Sequence, residues 1–118
     1  MNREIKFRGK HSNKWIYGYL LKNIDDNKSY ISVSLDQFYQ VKEETIGQYT
    51  GLKDKNGVEI YEGDIVKAKF YGKEVVGEIG FNSGCFLLWN SCVSDNQLFI
   101  FTDIEVIGNI YENEEKQR

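Results

Sequence analysis

Cations and aromatic rings crowd the start of the chain. Arg3, Lys6, Arg8, Lys10 and Lys14 stand within the first 14 residues against one acid, Glu4, a net charge of +4. Phe7, Trp15, Tyr17 and Tyr19 are interleaved with them or follow at once. Single-stranded nucleic acid is held in this way, with bases stacked on rings above a basic groove. Arg3, Lys6, Arg8, Lys10, Trp15 and Tyr17 are therefore candidate binding residues. Two observations weigh against nucleic acid. The whole chain carries −3 with a pI near 5.2, the wrong sign for a phosphate binder. In strand geometry Glu4, Lys6 and Arg8 share one face and Ile5 and Phe7 the other. That spacing predicts burial of Ile5 and Phe7, with Trp15, Tyr17 and Tyr19 serving as core or subunit interface.

Catalytic patterns are weaker. His11 is the single histidine, set in a polar turn between Lys10 and Ser12 with no orienting carboxylate in the pattern. Glu59, Glu62 and Asp64 are close in sequence, but acid–base work needs burial to move a pKa, and these flank a turn. Gly47 and Gly51 are not followed by the Gly-Lys-Ser or Gly-Lys-Thr of a phosphate loop. Cys85 and Cys92, seven residues apart and far from the histidine, match no zinc spacing and read as ordinary thiols of a reducing cytoplasm. No catalysis, metal or cofactor is expected.

The elements that must position these residues read as strands. Of 118 residues 14% are aromatic and none is proline, a composition suited to half-buried pleated surfaces. Alternation predicts strands over 3–8, 15–21, 30–34, 65–70, 74–81, 85–89, 99–101 and 104–111. Between them stand the polar turns 9–13 and 23–28, the Asn56-Gly57 turn, Glu62-Gly63-Asp64, Tyr71-Gly72-Lys73 and Asn82-Ser83-Gly84. Gly18, inside a strand, marks a bulge or a close approach by another backbone. Leu35, Phe38 and Tyr39 have helical spacing, but the run is too short for a helix, so 35–44 reads as loop. An all-β fold follows, barrel-like or otherwise antiparallel, as one domain over 1–111 with a polar tail at 112–118. Gly63-Asp64-Ile65-Val66 matches the turn that opens a strand in SH3-like barrels. No apolar run reaches bilayer length and the charged N-terminus lacks a signal-peptide core, so a cytoplasmic protein is expected.

The run Gly47-Gln48-Tyr49-Thr50-Gly51-Leu52-Lys53-Asp54-Lys55-Asn56-Gly57, continued by Glu59 to Val66, resembles the signature of the YopX proteins of phages and prophages. Arg3 to Lys10 with Trp15-Ile16-Tyr17-Gly18, and Ile104 to Asn113, resemble the family's two ends. The resemblance implies a mostly-β fold, a phage or prophage setting in a bacterial host and no activity that could be carried over. It marks Gly47, Tyr49, Gly51, Asn56, Gly57, Gly63 and Asp64 as motif residues whose role is structural. The function expected is that of a non-enzymatic binding or assembly protein acting as a homo-oligomer, because Tyr and Trp suit interfaces and sheet edges need cover. Nucleic-acid binding and the binding or inhibition of a host protein are the alternatives. Residues 103–115 hold five acids and no base, a net of −5, so the two ends could also attract one another.

Overall fold

The computed structural model describes residues 4–82, 84–89 and 96–112, and most of them are strand. The chain forms two compact units, 1–51 and 52–118, whose boundary falls inside the span 1–111 expected to act as one domain. Of the expected tail, Glu112 closes a helical turn over 110–112, and 113–118 lie outside the described residues.

The first unit is an antiparallel meander of β1 (Phe7–His11), β2 (Lys14–Asn23), β3 (Lys28–Ser34) and β4 (Gln37–Gln40). A 3-10 turn over Glu43–Thr45 leads to β5 (Gly47–Lys53), whose first residues pair with β1. Local chemistry makes the turns. Ser12 takes φ 58° in the two-residue β1–β2 connection. Asn23 Oδ1 accepts from Asp25 N–H at 2.8 Å and Asp26 Oδ1 from Lys28 N–H at 3.0 Å, closing the β2–β3 turn. Gly18 is required by close approach, since a Cβ there would run into the Ser32 carbonyl oxygen.

After β4 the chain returns to β1. The Lys42 N–H donates to the Lys10 carbonyl at 2.9 Å, and His11 Nδ1 lies 2.8 Å from the Gln40 carbonyl oxygen, which can only accept. Ile31 and Val41 are buried. Gly9 leaves room for Val41, whose Cβ would stand 2.9 Å from a Cβ at that position.

Two expectations change here. The first strand starts at Phe7, and the residues read as a turn from Gly9 continue it to His11. The segment 35–44, read as loop, contains β4, because Phe38, Tyr39 and Gln40 find partners in Ser32, Ile31 and Tyr30. Spacing within ten residues cannot reveal a strand partner.

The second unit has β6 (Glu59–Tyr61), β7 (Asp64–Phe70), β8 (Lys73–Asn82), β9 (Cys85–Trp89), β10 (Asn96–Gln97) and β11 (Thr102–Asn109). Its sheet runs β10-β9-β8-β7-β11. Tyr71 and Gly72, at φ 51° and 79°, make the tight β7–β8 turn that matches strand twist. Alternate residues Val66, Ala68, Ile79 and Leu88 face inward, covered by Ile60, Leu98 and Phe101. The apolar run 99–101, read as strand, falls instead on a 3-10 turn, Leu98–Ile100, that caps this core. The all-β expectation is met in its open antiparallel form. Closure would require the outermost strands to pair, and this sheet ends on a two-residue β10 and on β11, so no barrel closes among the described residues.

Asp54 ties the unit together. Its Oδ1 accepts from the Asn56 and Val58 N–H groups at 2.8 and 2.9 Å, and its Oδ2 from Val106 N–H at 2.9 Å. The adjacent Lys55 N–H donates to the Ile104 carbonyl at 2.9 Å. Burial alone would raise the Asp54 pKa, but the hydrogen bonds from Val106, Val58 and Asn56, with Lys55 nearby, hold it below the usual carboxylate range. The folded state thus favours the carboxylate. Its stabilisation is complete above the unfolded value near 3.8 and is lost as pH falls through the lower folded value. Asp54→Asn should cost about 2–4 kcal/mol at neutral pH and flatten the acid limb of stability. Urea melts from pH 7 to pH 3 check both, and parallel acid limbs in the two proteins would refute the assignment.

Candidate binding face

Strand pairing assembles the basic and aromatic residues on one face. Arg8 lies opposite Tyr17 and Lys10 opposite Trp15. Paired residues share a side of the sheet, so Lys6, Arg8, Lys10, Trp15 and Tyr17 project together, away from Ile31 and Val41. Arg3 lies outside the described residues.

The cations do not reach outward. The Arg8 guanidinium carbon sits 4.4 Å from the centre of the Trp15 ring and Lys10 Nζ 5.3 Å from it. Lys6 Nζ lies 5.4 Å from the Tyr49 ring centre and 3.7 Å from a Glu4 carboxylate oxygen. Arg8 and Lys10 are 5% and 8% exposed, whereas Ile5 is 54% exposed and Phe7 half-buried. This reverses the burial expected from the alternation of Ile5 and Phe7. Long aliphatic stems with cations over an indole can be buried in place of an aliphatic row. Trp15 is therefore engaged as a lid over two cations and is not an open stacking platform.

The rings on β2 to β4 behave differently. Tyr19 is 66% and Phe38 55% exposed, and Tyr17 and Leu21 are exposed beside them. Tyr17 and Tyr19 are thus surface residues and not core. Register aligns Tyr19, Ser32 and Phe38 in one cross-strand row and Leu21, Tyr30 and Gln40 in the next. Tyr30 and Phe38 meet edge to face at 6.1 Å, and Tyr30 donates to Asp26 Oδ2 at 2.7 Å. That hydrogen bond lowers the Asp26 pKa and raises that of Tyr30. The two rows are aromatic, polar and uncharged.

The motif residues take backbone roles. Gly47 pairs with Arg8, and Tyr49 N–H donates to the Lys6 carbonyl at 2.8 Å. Gly51, Gly57 and Gly63 adopt φ of 88°, 84° and 92°, a region that favours glycine. Asn56 and Gly57 form the turn that Asp54 fastens. Asp64 is buried and its Oδ2 accepts from Tyr61 N–H at 2.8 Å, while Glu59 accepts from the Tyr61 hydroxyl at 3.0 Å. These acids hold the β6–β7 turn.

Acids near the end of the chain find partners in their own unit. Glu105 lies 3.8 Å from Lys67 and 3.7 Å from Lys55, and Asp103 lies 3.6 Å from Lys69. Cys85 is a free thiol, and Cys92 falls outside the described residues. Sequence reasoning passed over Asp54, whose role rests on a partner 52 residues away, and Phe38, hidden in a segment read as loop.

A family model described as "YopX protein" matches residues 6–116, nearly the whole chain. No curated protein matches it.

Replacing Trp15 by Leu uncovers Arg8 and Lys10 while keeping an apolar residue. The variant should lose about 1–2 kcal/mol, the scale of a desolvated cation–ring contact, read as a lower urea midpoint with an unchanged slope. An unchanged midpoint would show that the ring does not support these cations.

Proposed function

The chain belongs to the YopX family, and we propose that it is a non-enzymatic binding and assembly protein that associates with copies of itself through the outer face of β2 to β4. The observation that carries this is the exposed, uncharged aromatic surface of Tyr17, Tyr19, Leu21 and Phe38. Aromatic enrichment and depletion of charge mark the cores of subunit interfaces. Uncharged side chains such as these can meet their own copies about a two-fold axis without repulsion. The phage or prophage setting that the family resemblance implies supports a reading in which this assembly acts in the cytoplasm of a bacterial host.

The burial of Arg8 and Lys10 disfavours nucleic acid, because a phosphate backbone needs accessible cations. Analytical ultracentrifugation at roughly 10 μM, a concentration that populates a micromolar self-association, should find an oligomer. Tyr19→Lys combined with Phe38→Lys should give a monomer with an unchanged far-ultraviolet spectrum. A wild-type monomer at this concentration would overturn the proposal. Mobility retardation of single-stranded DNA by the wild type and not by Trp15→Leu would transfer the face to nucleic acid.

A further inference from the structure

The other face of the second sheet, pointing away from the Val66–Leu88 core, has a distinct chemistry. Ile65, Glu78 and Trp89 stand in register across β7, β8 and β9, and Gly108 faces Ile65 from β11. The row thus reads glycine, isoleucine, glutamate, tryptophan. Its β11 end is open, since no atom lies within 4 Å of where a Gly108 Cβ would stand. Its other end is walled by the Trp89 six-membered ring, which lies over Gly80: a Cβ there would stand 2.6 Å from Cη2 and Cζ3. Trp89 remains 39% exposed, with exposed Val76 beside Glu78 along β8.

Glu78 differs from the other acids of this sheet. Glu74 lies 3.7 Å from Lys67, while Glu105 and Asp103 have the lysine partners described above. Glu78 makes no ion pair or hydrogen bond among the described residues, although it is half-buried between Ile65 and Trp89. Burial pushes its carboxyl above the usual range. A half-buried carboxylate lacking a counter-charge is a standing energetic cost that an arriving cation would relieve.

We propose that Ile65, Glu78 and Trp89 form a receptor for an arginine side chain presented by a basic segment of a partner protein. The arginine stem lies along Ile65, and its planar guanidinium pairs with the Glu78 carboxylate while stacking on the Trp89 ring. Arginine fits this trio better than lysine, because one planar group satisfies both the two carboxylate oxygens and the indole face. A phosphate would be repelled by Glu78. Arg8, the one arginine among the described residues, is buried and does not supply the group; the donor proposed is a different protein. The site shares no residue with the self-association face on β2 to β4.

The test titrates the isotopically labelled full chain with acetyl-Gly-Arg-Gly-amide, using the lysine and citrulline counterparts as controls. The Trp89 indole N–H and the amides of Ile65 and Glu78 should shift saturably, with a Kd on the order of 1–10 mM for so small a probe. The neutral citrulline peptide should bind at least about tenfold more weakly, and Glu78→Gln should abolish the difference between the two. Equal binding of the arginine and citrulline peptides by the wild type would overturn the proposal, as would unaltered arginine binding by Glu78→Gln. Shifts of the same resonances with protein concentration alone would give the row to a second copy and equally overturn it.

Discussion

A single buried carboxylate holds the second unit in register. Asp54 accepts from three backbone N–H groups: two belong to its own turn, and the third, of Val106, belongs to β11. The local pair of bonds makes the Asp54–Val58 turn; the distant one fastens that turn to the sheet. Ile104 and Val106, which flank the core, arrive on the strand so fastened. Removing the carboxylate would leave three part-buried amides without acceptors, a larger cost than the net gain of an average hydrogen bond. Asn56-Gly57 supplies the bend, but Asp54 makes the bend part of a tertiary structure.

Charge compensation also organises the first unit, by a different device. Arg8 and Lys10 are buried under an indole, and Lys6 lies over a phenol ring. Arg8 and Lys10 are therefore spent on internal packing, and two acids of the chain's end, Asp103 and Glu105, lie beside Lys55, Lys67 and Lys69. The two surfaces proposed for partners are the exposed aromatic residues of β2 to β4 and the row around Glu78. The chemistry of the first suits a like surface and that of the second a cation.

Much of this was legible because its causes are local. Asn56-Gly57, Gly63 and Tyr71-Gly72 announce turns through backbone conformations that few residues adopt, and strands between turns mark an all-β chain. That Lys6 and Arg8 share a face follows from the two-residue period alone. Which residues are buried does not follow: Ile5 and Phe7 look like an inner row, yet Ile5 is exposed and Phe7 half-buried, while Arg8 and Lys10 on the other side are covered by Trp15. β4 was hidden because its four residues carry no turn or alternation of their own and gain strand form from β3. Glu78 interrupts the apolar run Val75 to Ile79, a visible oddity whose meaning waited on Ile65 and Trp89.

The sequence by itself determined the fold class, most turn positions, the membership of the basic-aromatic set and the family signature. Each is encoded in side chains a few residues apart, where steric and hydrogen-bonding preferences act without tertiary help. Only the tertiary structure decided that Arg8 and Lys10 are covered, that Tyr19 and Phe38 are presented, that Asp54 reaches Val106 and that Glu78 has no ion pair among the described residues. Those outcomes depend on which distant strand supplies the neighbour. A residue's burial and charge balance belong to its cross-strand partners, and the order of the chain does not state who they are.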